Sequence, residues 1–136
     1  MIEGFTWILP FYNEEASLLA QTRQFSLVKH ILAVDAGSSD NSRAILEAFP
    51  HINIVTVLNP SSAPRSSEWY QSLYDLASTD YILFGNCNHF YPLELLHELD
   101  IIAQEAKHVF CISNHVNYMY GCVTRVFSTT IHQTKQ

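Results

Sequence analysis

The sequence predicts a three-layer α/β/α fold built on a mostly parallel sheet, and three observations carry that expectation. Apolar runs alternate with amphipathic ones, the order expected of strands and helices in turn. The apolar runs are short and nearly unbroken, as in parallel strands covered on both faces. Turn-forming residues follow several of them, including Pro10, the Gly37-Ser38-Ser39 step and Gly85.

The elements follow from local chemistry. Residues 5–9 form a first strand, stopped by Pro10, which has no N–H to give a ladder. Asn13 then caps a helix that runs to about residue 25, with Glu14 and Glu15 in its positive first turn. Residues 31–34 are a second strand. Asp40 caps a second helix, whose Ala44, Ile45, Ala48 and Phe49 fall on one face at helical spacing. A third strand spans residues 52–58, and a loop rich in Ser and Pro follows to residue 67. A helix over 67–77 carries Trp69, Tyr70, Leu73 and Tyr74 and leads into a strand at 81–84. After a loop over 85–91, Pro92 suits the first turn of another helix, with Leu95, Leu99, Ile102 and Ala106 as its buried stripe. A fifth strand covers 109–113, and two short strand-like pieces and a polar tail complete the chain.

Composition narrows the function. With 136 residues, 48% hydrophobic and 15% charged, the chain is read as one domain, residues 1–136, folded around a core. The formal net charge of -6 and the lack of a basic stripe argue against nucleic acid as a partner. Cys87, Cys111 and Cys122 are odd in number and lack paired spacing, so neither a disulfide framework nor a structural zinc site is expected. The opening residues lack the basic and apolar regions of a signal peptide, and no run reaches the ~18 apolar residues that span a bilayer. A soluble, cytoplasmic protein is therefore expected.

In an open parallel sheet, ligands bind at the carboxyl ends of the strands. Three polar loops of this chain are expected there, at residues 10–14, 35–40 and 85–89. Their convergence predicts one pocket.

The residues in those loops carry a resemblance. Trp7-Ile8-Leu9-Pro10-Phe11-Tyr12-Asn13-Glu14-Glu15 resembles the opening strand and loop of family-2 glycosyltransferases, which have the GT-A (nucleotide-diphospho-sugar transferase) fold. Ala33-Val34-Asp35-Ala36-Gly37-Ser38-Ser39-Asp40 resembles their second strand and its Asp-x-Gly-Ser-x-Asp turn. Ala77-Ser78-Thr79-Asp80-Tyr81-Ile82-Leu83-Phe84 is similar to the strand that leads to their metal-binding Asp-x-Asp. All three stand in the family's order, over about residues 5–113.

The resemblance implies a bound nucleoside diphosphate sugar, UDP- or GDP-linked, and glycosyl transfer to an acceptor hydroxyl. It implies that Tyr12 lies against the base, that Pro10 and Phe11 line the base pocket through their backbone, and that Glu14 sits near base and ribose. Asp35 then accepts hydrogen bonds from the nucleoside or orders the pocket, and Ser38 and Asp40 hold the turn. Each has a plainer alternative: a half-buried core ring for Tyr12, a helix-dipole partner for Glu14, a helix cap for Asp40. Arg65 and Arg125 are the candidate cations for the diphosphate, with an exposed loop residue the alternative for Arg65.

The chain also departs from the family. Ala36 stands where many members have a second acid that reads the base. Counted from Asp80-Tyr81, Asn86-Cys87-Asn88 falls where the Asp-x-Asp belongs; counted back from Pro92, Gly85-Asn86-Cys87 does, and neither holds a carboxylate. Mg²⁺ and Mn²⁺ favour anionic oxygen ligands, so the two amides are expected only to touch a metal brought by the donor diphosphate. No catalytic base is assignable: Glu94, Glu98 and Asp100 lie on the helix after Pro92 and fit the role poorly. The half of such enzymes that supplies base and acceptor surface is not expected within these residues. That leaves a catalytically inactive binding or assembly module as the alternative function. A truncated sheet exposes apolar surface, so self-association into a homo-oligomer is expected as well.

Overall fold

The computed structural model describes residues 1–57, 67–79, 81–85, 90–105, 110–113, 116–117, 124–125 and 128–133, with side chains described for 1–57, 72–79, 81–85, 90–101 and 103. In chain order the elements are β1 (Ile2–Phe11), α1 (Glu15–Ala20), α2 (Thr22–Leu27), β2 (Val28–Asp35), α3 (Ser42–Glu47), β3 (Ile52–Thr56), α4 (Ser67–Leu76), β4 (Tyr81–Phe84), α5 (Leu93–Glu105), β5 (Phe110–Ser113), β6 (Val116–Asn117), β7 (Thr124–Arg125) and β8 (Ser128–Gln133). Six strands form one sheet in the order β3-β2-β1-β4-β8-β5, and β6 and β7 make a separate two-stranded ribbon. β3, β2, β1 and β4 run parallel, while β8 runs antiparallel to both of its neighbours.

Alternation along β1 sorts the core onto the two faces of the sheet. Phe5, Trp7, Leu9 and Phe11 join Ile31 and Ala33 of β2 in one cluster, closed by Leu18, Phe25, Leu46, Tyr91, Leu96, Leu99 and Ala103. Thus α1, α2, α3 and α5 cover one face. On the other, Ile8, Leu32, Val34 and Ile82 meet Leu73 of α4. Helices on both faces of a mostly parallel sheet make the three-layer arrangement expected from the sequence.

Several local expectations are corrected. β1 does not stop at Pro10 but continues to Phe11, with Pro10 paired opposite Val34. The reason lies in the ladder. The carbonyl of Ile8 accepts the Gly85 N–H, so Ile8 and Pro10 direct their backbone polar groups toward β4. β4 ends at Phe84, opposite Ile8, so proline's missing donor falls beyond the β1–β4 pairing. β2 begins at Val28, ahead of its expected start.

The first helix is two short ones, broken at Gln21 (φ -112°, ψ 14°). The break lets Leu18 and Phe25 both reach the core, where Phe25 packs on Trp7 with ring centroids 5.4 Å apart. On α3 the inward residue is Leu46, helped by Ile45 and Phe49, while Ala44 and Ala48 are exposed. On α5 the stripe is Leu96, Leu99 and Ala103, with Leu95 only partly buried. The side chain of Ile102 and residue 106 lie outside the described set. The Gly4 N–H donates to Asp100 Oδ1 at 2.6 Å, tying α5 to the start of β1. Glycine is required there: a Cβ at position 4 would stand 2.9 Å from the Asp100 carbonyl oxygen.

The polar tail is likewise a strand. β8 inserts between β4 and β5, with Leu83 opposite Ile131 and Phe110 opposite the same residue on the other side.

Candidate functional site

β1 and β2 are in register to their last residues, Phe11 opposite Asp35, so their carboxyl-end loops emerge side by side. The two loops are then bonded to each other through polar side chains. The Phe11 carbonyl accepts the Ala36 N–H at 3.0 Å. The Asn13 N–H donates to Ser38 Oγ at 2.9 Å. In return Asn13 Oδ1 accepts the N–H groups of Ser39 and Asp40, at 2.7 and 3.2 Å. The Glu14 N–H donates to Ser42 Oγ at 2.8 Å, and Glu15 Oε1 accepts the Asn41 N–H at 2.9 Å.

Asn13 therefore does not cap a helix. It holds a left-handed backbone (φ 47°), a conformation that Asn tolerates better than most residues. Hydrogen bonds through its own N–H and side chain, to Ser38, Ser39 and Asp40, offset the strain. Asp40 keeps a capping role in altered form. Its Oδ1 accepts the Ser42 N–H at 2.9 Å, one residue inside the helix, whose N-cap position is Asn41. The Ser42 hydroxyl and N–H hold the Asp40 carboxyl below the ordinary Asp range.

Asp35 sits at the hinge of this arrangement with 3% of its surface exposed. Its Oδ1 accepts the N–H groups of Gly37 and Ser38 at 3.0 and 2.7 Å. Gly37 turns at φ 107°, a left-handed region that a side chain would strain. Burial alone would raise the Asp35 pKa. The backbone N–H groups of Ser38 and Gly37, the Ser38 hydroxyl and the Arg43 guanidinium outweigh burial and hold it below the usual value. Arg43 Nη1 lies 3.6 Å from Asp35 Oδ2 and donates to Thr56 Oγ1 at 2.7 Å, while Nε donates to Glu47 Oε1 at 3.1 Å.

On this frame Tyr12 stands exposed, with 56% of its surface open, at the apex of the β1 loop. It is not a core ring. Phe11 is the reverse, a core side chain with only 2% exposed, and Pro10 is buried too. Glu14 is half-buried. The side chains of Tyr12 and Glu14 thus share a rim with the Asp35 turn. Arg65, Asn86 and Asn88 lie outside the described residues, as does the side chain of Arg125.

The entry to the third loop is described up to Gly85. The Trp7 indole N–H donates to the Gly85 carbonyl at 3.1 Å, and the Tyr91 ring packs edge-on to Trp7 at 5.3 Å. A Cβ on Gly85 would collide with the Tyr91 phenol, which requires glycine here. Trp7 and Tyr91 hold the two ends of the segment carrying Asn86 and Asn88. Of the acids on α5, Asp100 is committed to Gly4 near the amino end of β1, away from this rim, and Glu94 and Glu98 are exposed.

Among the described residues no three His, Cys, Asp or Glu side chains gather to hold an ion. The Asn86-Cys87-Asn88 segment offers neutral amides and a thiol, a poor set for a hard divalent cation.

Solved structures share this architecture. Glucosyl-3-phosphoglycerate synthase from Mycobacterium tuberculosis, in complex with Mn²⁺, UDP and phosphoglyceric acid, superposes with a TM-score of 0.66 at 17% identity, over 96% of this chain and 56% of that one. The mannosyltransferase PcManGT from Pyrobaculum calidifontis, in complex with GDP-Man and Mn²⁺, gives 0.61 at 12%, over 95% and 44%. The chain has the GT-A fold. The same fold is found in 4-diphosphocytidyl-2C-methyl-D-erythritol synthase, with a TM-score of 0.58 at 15% identity, over 95% of this chain and 74% of that one. The chain spans about half the length of the two sugar transferases. No family model matches the sequence, and no curated protein matches it.

Sequence reasoning identified both rim loops but missed two residues that organise them. Asn13 has the residue type of a helix cap, but Asn is also among the residues most tolerant of the left-handed step it takes here. Arg43 had only its spacing to Glu47 as a signal, a pattern shared by many solvated helix faces. No helix among the described residues is long and apolar enough to cross a membrane.

Proposed function

We propose that the chain is the donor-binding part of a glycosyltransferase. In this reading the rim formed by the β1 and β2 loops receives the nucleoside of a UDP- or GDP-linked sugar. The glycosyl group then passes to an acceptor hydroxyl on a surface supplied by further residues. One observation carries the reading: two loops at the carboxyl ends of adjacent parallel strands, bonded to each other and presenting one exposed aromatic ring. The sugar-transferase neighbours crystallised with UDP or GDP-Man support it.

The roles follow from the geometry. Tyr12 offers a flat apolar face for the base. Glu14, on the same rim, accepts hydrogen bonds from the ribose or base. Pro10 and Phe11 form the buried floor through their backbone. Ala36 removes a base-reading acid, so discrimination between bases is expected to be modest. Asn86 and Asn88 meet the diphosphate from the third loop, with Arg65 as the cation that stabilises the departing nucleoside diphosphate. A divalent ion enters only with the donor, because the protein offers it no carboxylate there. The unit is read as a single cytoplasmic domain that self-associates through apolar surface.

A second reading, a catalytically inactive binding or assembly module, is favoured by one feature, the absence of any acid from Asn86-Cys87-Asn88. Calorimetric titration with UDP, GDP, CDP and dTDP nucleotides and their sugars, with and without manganese, tests both. Binding that is lost in Tyr12→Ala supports the donor site. Binding with no turnover of a nucleotide sugar supports the inactive module. No binding by a folded sample rejects both nucleotide readings.

A further inference from the structure

Among the described residues, the cation that pairs with Asp35 is Arg43 of α3. Arg43 reaches across the end of β2 to Thr56 on β3, and its Nη1 stands 3.6 Å from Asp35 Oδ2. The Asp35 side chain is only 4% exposed, against 42% for Arg43. Its other oxygen already accepts two backbone N–H groups of the turn that follows. A base edge approaching from solvent would find this carboxylate enclosed and its charge opposed.

From Asp35 an unbroken chain of contacts leads to Tyr12. Asp35 Oδ1 fixes the Ser38 N–H, Ser38 Oγ accepts the Asn13 N–H, and Asn13 is joined by one peptide bond to Tyr12. A second path closes the ring. Asn13 Oδ1 accepts the Asp40 N–H, Asp40 Oδ1 accepts the Ser42 N–H, and Ser42 is the chain neighbour of Arg43. Arg43 thus sits where both paths meet.

We infer that Arg43 is a positioning residue for the proposed nucleoside site, and that Asp35 serves that site as a strut locked by Arg43, not as a ligand of the base. The inference rests on the nucleotide reading for its function and on the hydrogen-bond geometry for the strut. Arg43 touches no substrate in this scheme. It fixes the shape of the rim from behind, and Thr56 and Glu47 hold the guanidinium in place. The geometry also assigns specificity. With Ala36 beside a locked Asp35, the end of β2 offers no free carboxylate to read a base, and that role falls to Glu14 of the β1 loop.

Two readouts test this on the full chain. The first is amide hydrogen exchange at Gly37, Ser38 and Asn13 in Arg43→Met and Arg43→Lys, which needs no nucleotide. Exchange faster by several-fold at all three amides in Arg43→Met, with partial return in Arg43→Lys, is expected. Unchanged exchange overturns the strut. The second is a double-mutant cycle of Arg43→Met and Asp35→Asn on nucleotide affinity. Each single change is expected to weaken binding by about 5- to 10-fold, and the double change no further than the worse single. Arg43→Met binding like wild type, while Asp35→Asn loses binding, would make Asp35 itself the ligand and overturn the inference. Wild type that binds no nucleotide would end the positioning role together with the nucleotide reading, and the exchange result would still decide the strut.

Discussion

At the amino ends of the strands, polar side chains tie helices and loops to the sheet one at a time. Asp100 holds Gly4, the Ser78 hydroxyl meets His30 Nδ1 at 3.1 Å, Thr6 and Thr79 share a hydrogen bond of 2.7 Å, and His51 Nε2 bonds the Phe25 carbonyl at 2.7 Å. At the carboxyl ends of β1 and β2 the bonds run between two loops instead, and most of the groups involved are exposed. The first pattern fixes packing. The second contributes less to stability, since exposed hydrogen bonds are weak net contributors. What it defines is a shape, with one aromatic ring left uncovered. An open notch also exists at the amino ends, lined by Thr6, Lys29, His30, His51, Asn53 and Ser78. None of its lining residues is a Phe, Tyr or Trp.

The contrast can be broken at its centre. Trp7 is fully buried in the core and donates to the Gly85 carbonyl, so Trp7→Ala removes core volume and a hydrogen bond together. A loss of about 3–5 kcal/mol in urea unfolding is expected. Gly85→Ala forces the Tyr91 ring aside and should cost about 1–3 kcal/mol by the same measurement. Asp100→Ala strands the Gly4 N–H at the amino end, at a cost of about 1–2 kcal/mol. Nucleotide affinity should stay unchanged, because the loss falls at the opposite end of the sheet. Asn13→Ala should show the reverse balance. It costs about 1 kcal/mol of stability, yet weakens nucleotide binding, because the rim loses its cross-loop acceptor.

Acid titration sharpens the same comparison with the smallest effects. His30 titrates below the usual histidine value, because burial and Lys29 disfavour its cation while Glu3 partly opposes them. Its contribution is present above about pH 6.5 and is lost as pH falls from there through its folded pKa. Asp35 is also depressed in the folded state. Its contribution is present above about pH 3.9 and is lost as pH falls through its lower folded pKa. Unfolding free energies measured across this range should show two separate slopes. His30→Gln should remove the upper one, and Asp35→Asn should reduce the lower, to which the depressed Asp40 also contributes.

Much of this was legible in the sequence because it follows from alternation and turn chemistry. The parallel strands, the helices on both faces and the pairing of the Pro10 and Asp35 loops all follow from apolar runs ending in polar turns. What escaped has physical reasons. β8 contains one aliphatic residue, Ile131, among Ser, Thr, His and Gln, so it carries no period-two apolar signal. The α5 stripe was displaced because Leu95 and Leu96 both fit a helical repeat, and tertiary packing decides that Leu96 faces the core. Arg43 reaches Asp35 and Thr56 through tertiary geometry that no spacing encodes.

Amide chemical-shift mapping with UDP and GDP, each with and without its sugar, is the most direct test of where the site lies. Shifts concentrated at Tyr12, Asn13, Glu14 and the Gly37–Ser38 turn, with Thr6, His30 and Ser78 unmoved, are expected if the bonded loop pair receives the nucleoside. Shifts confined to the amino-end notch, or none at saturating nucleotide, would contradict it.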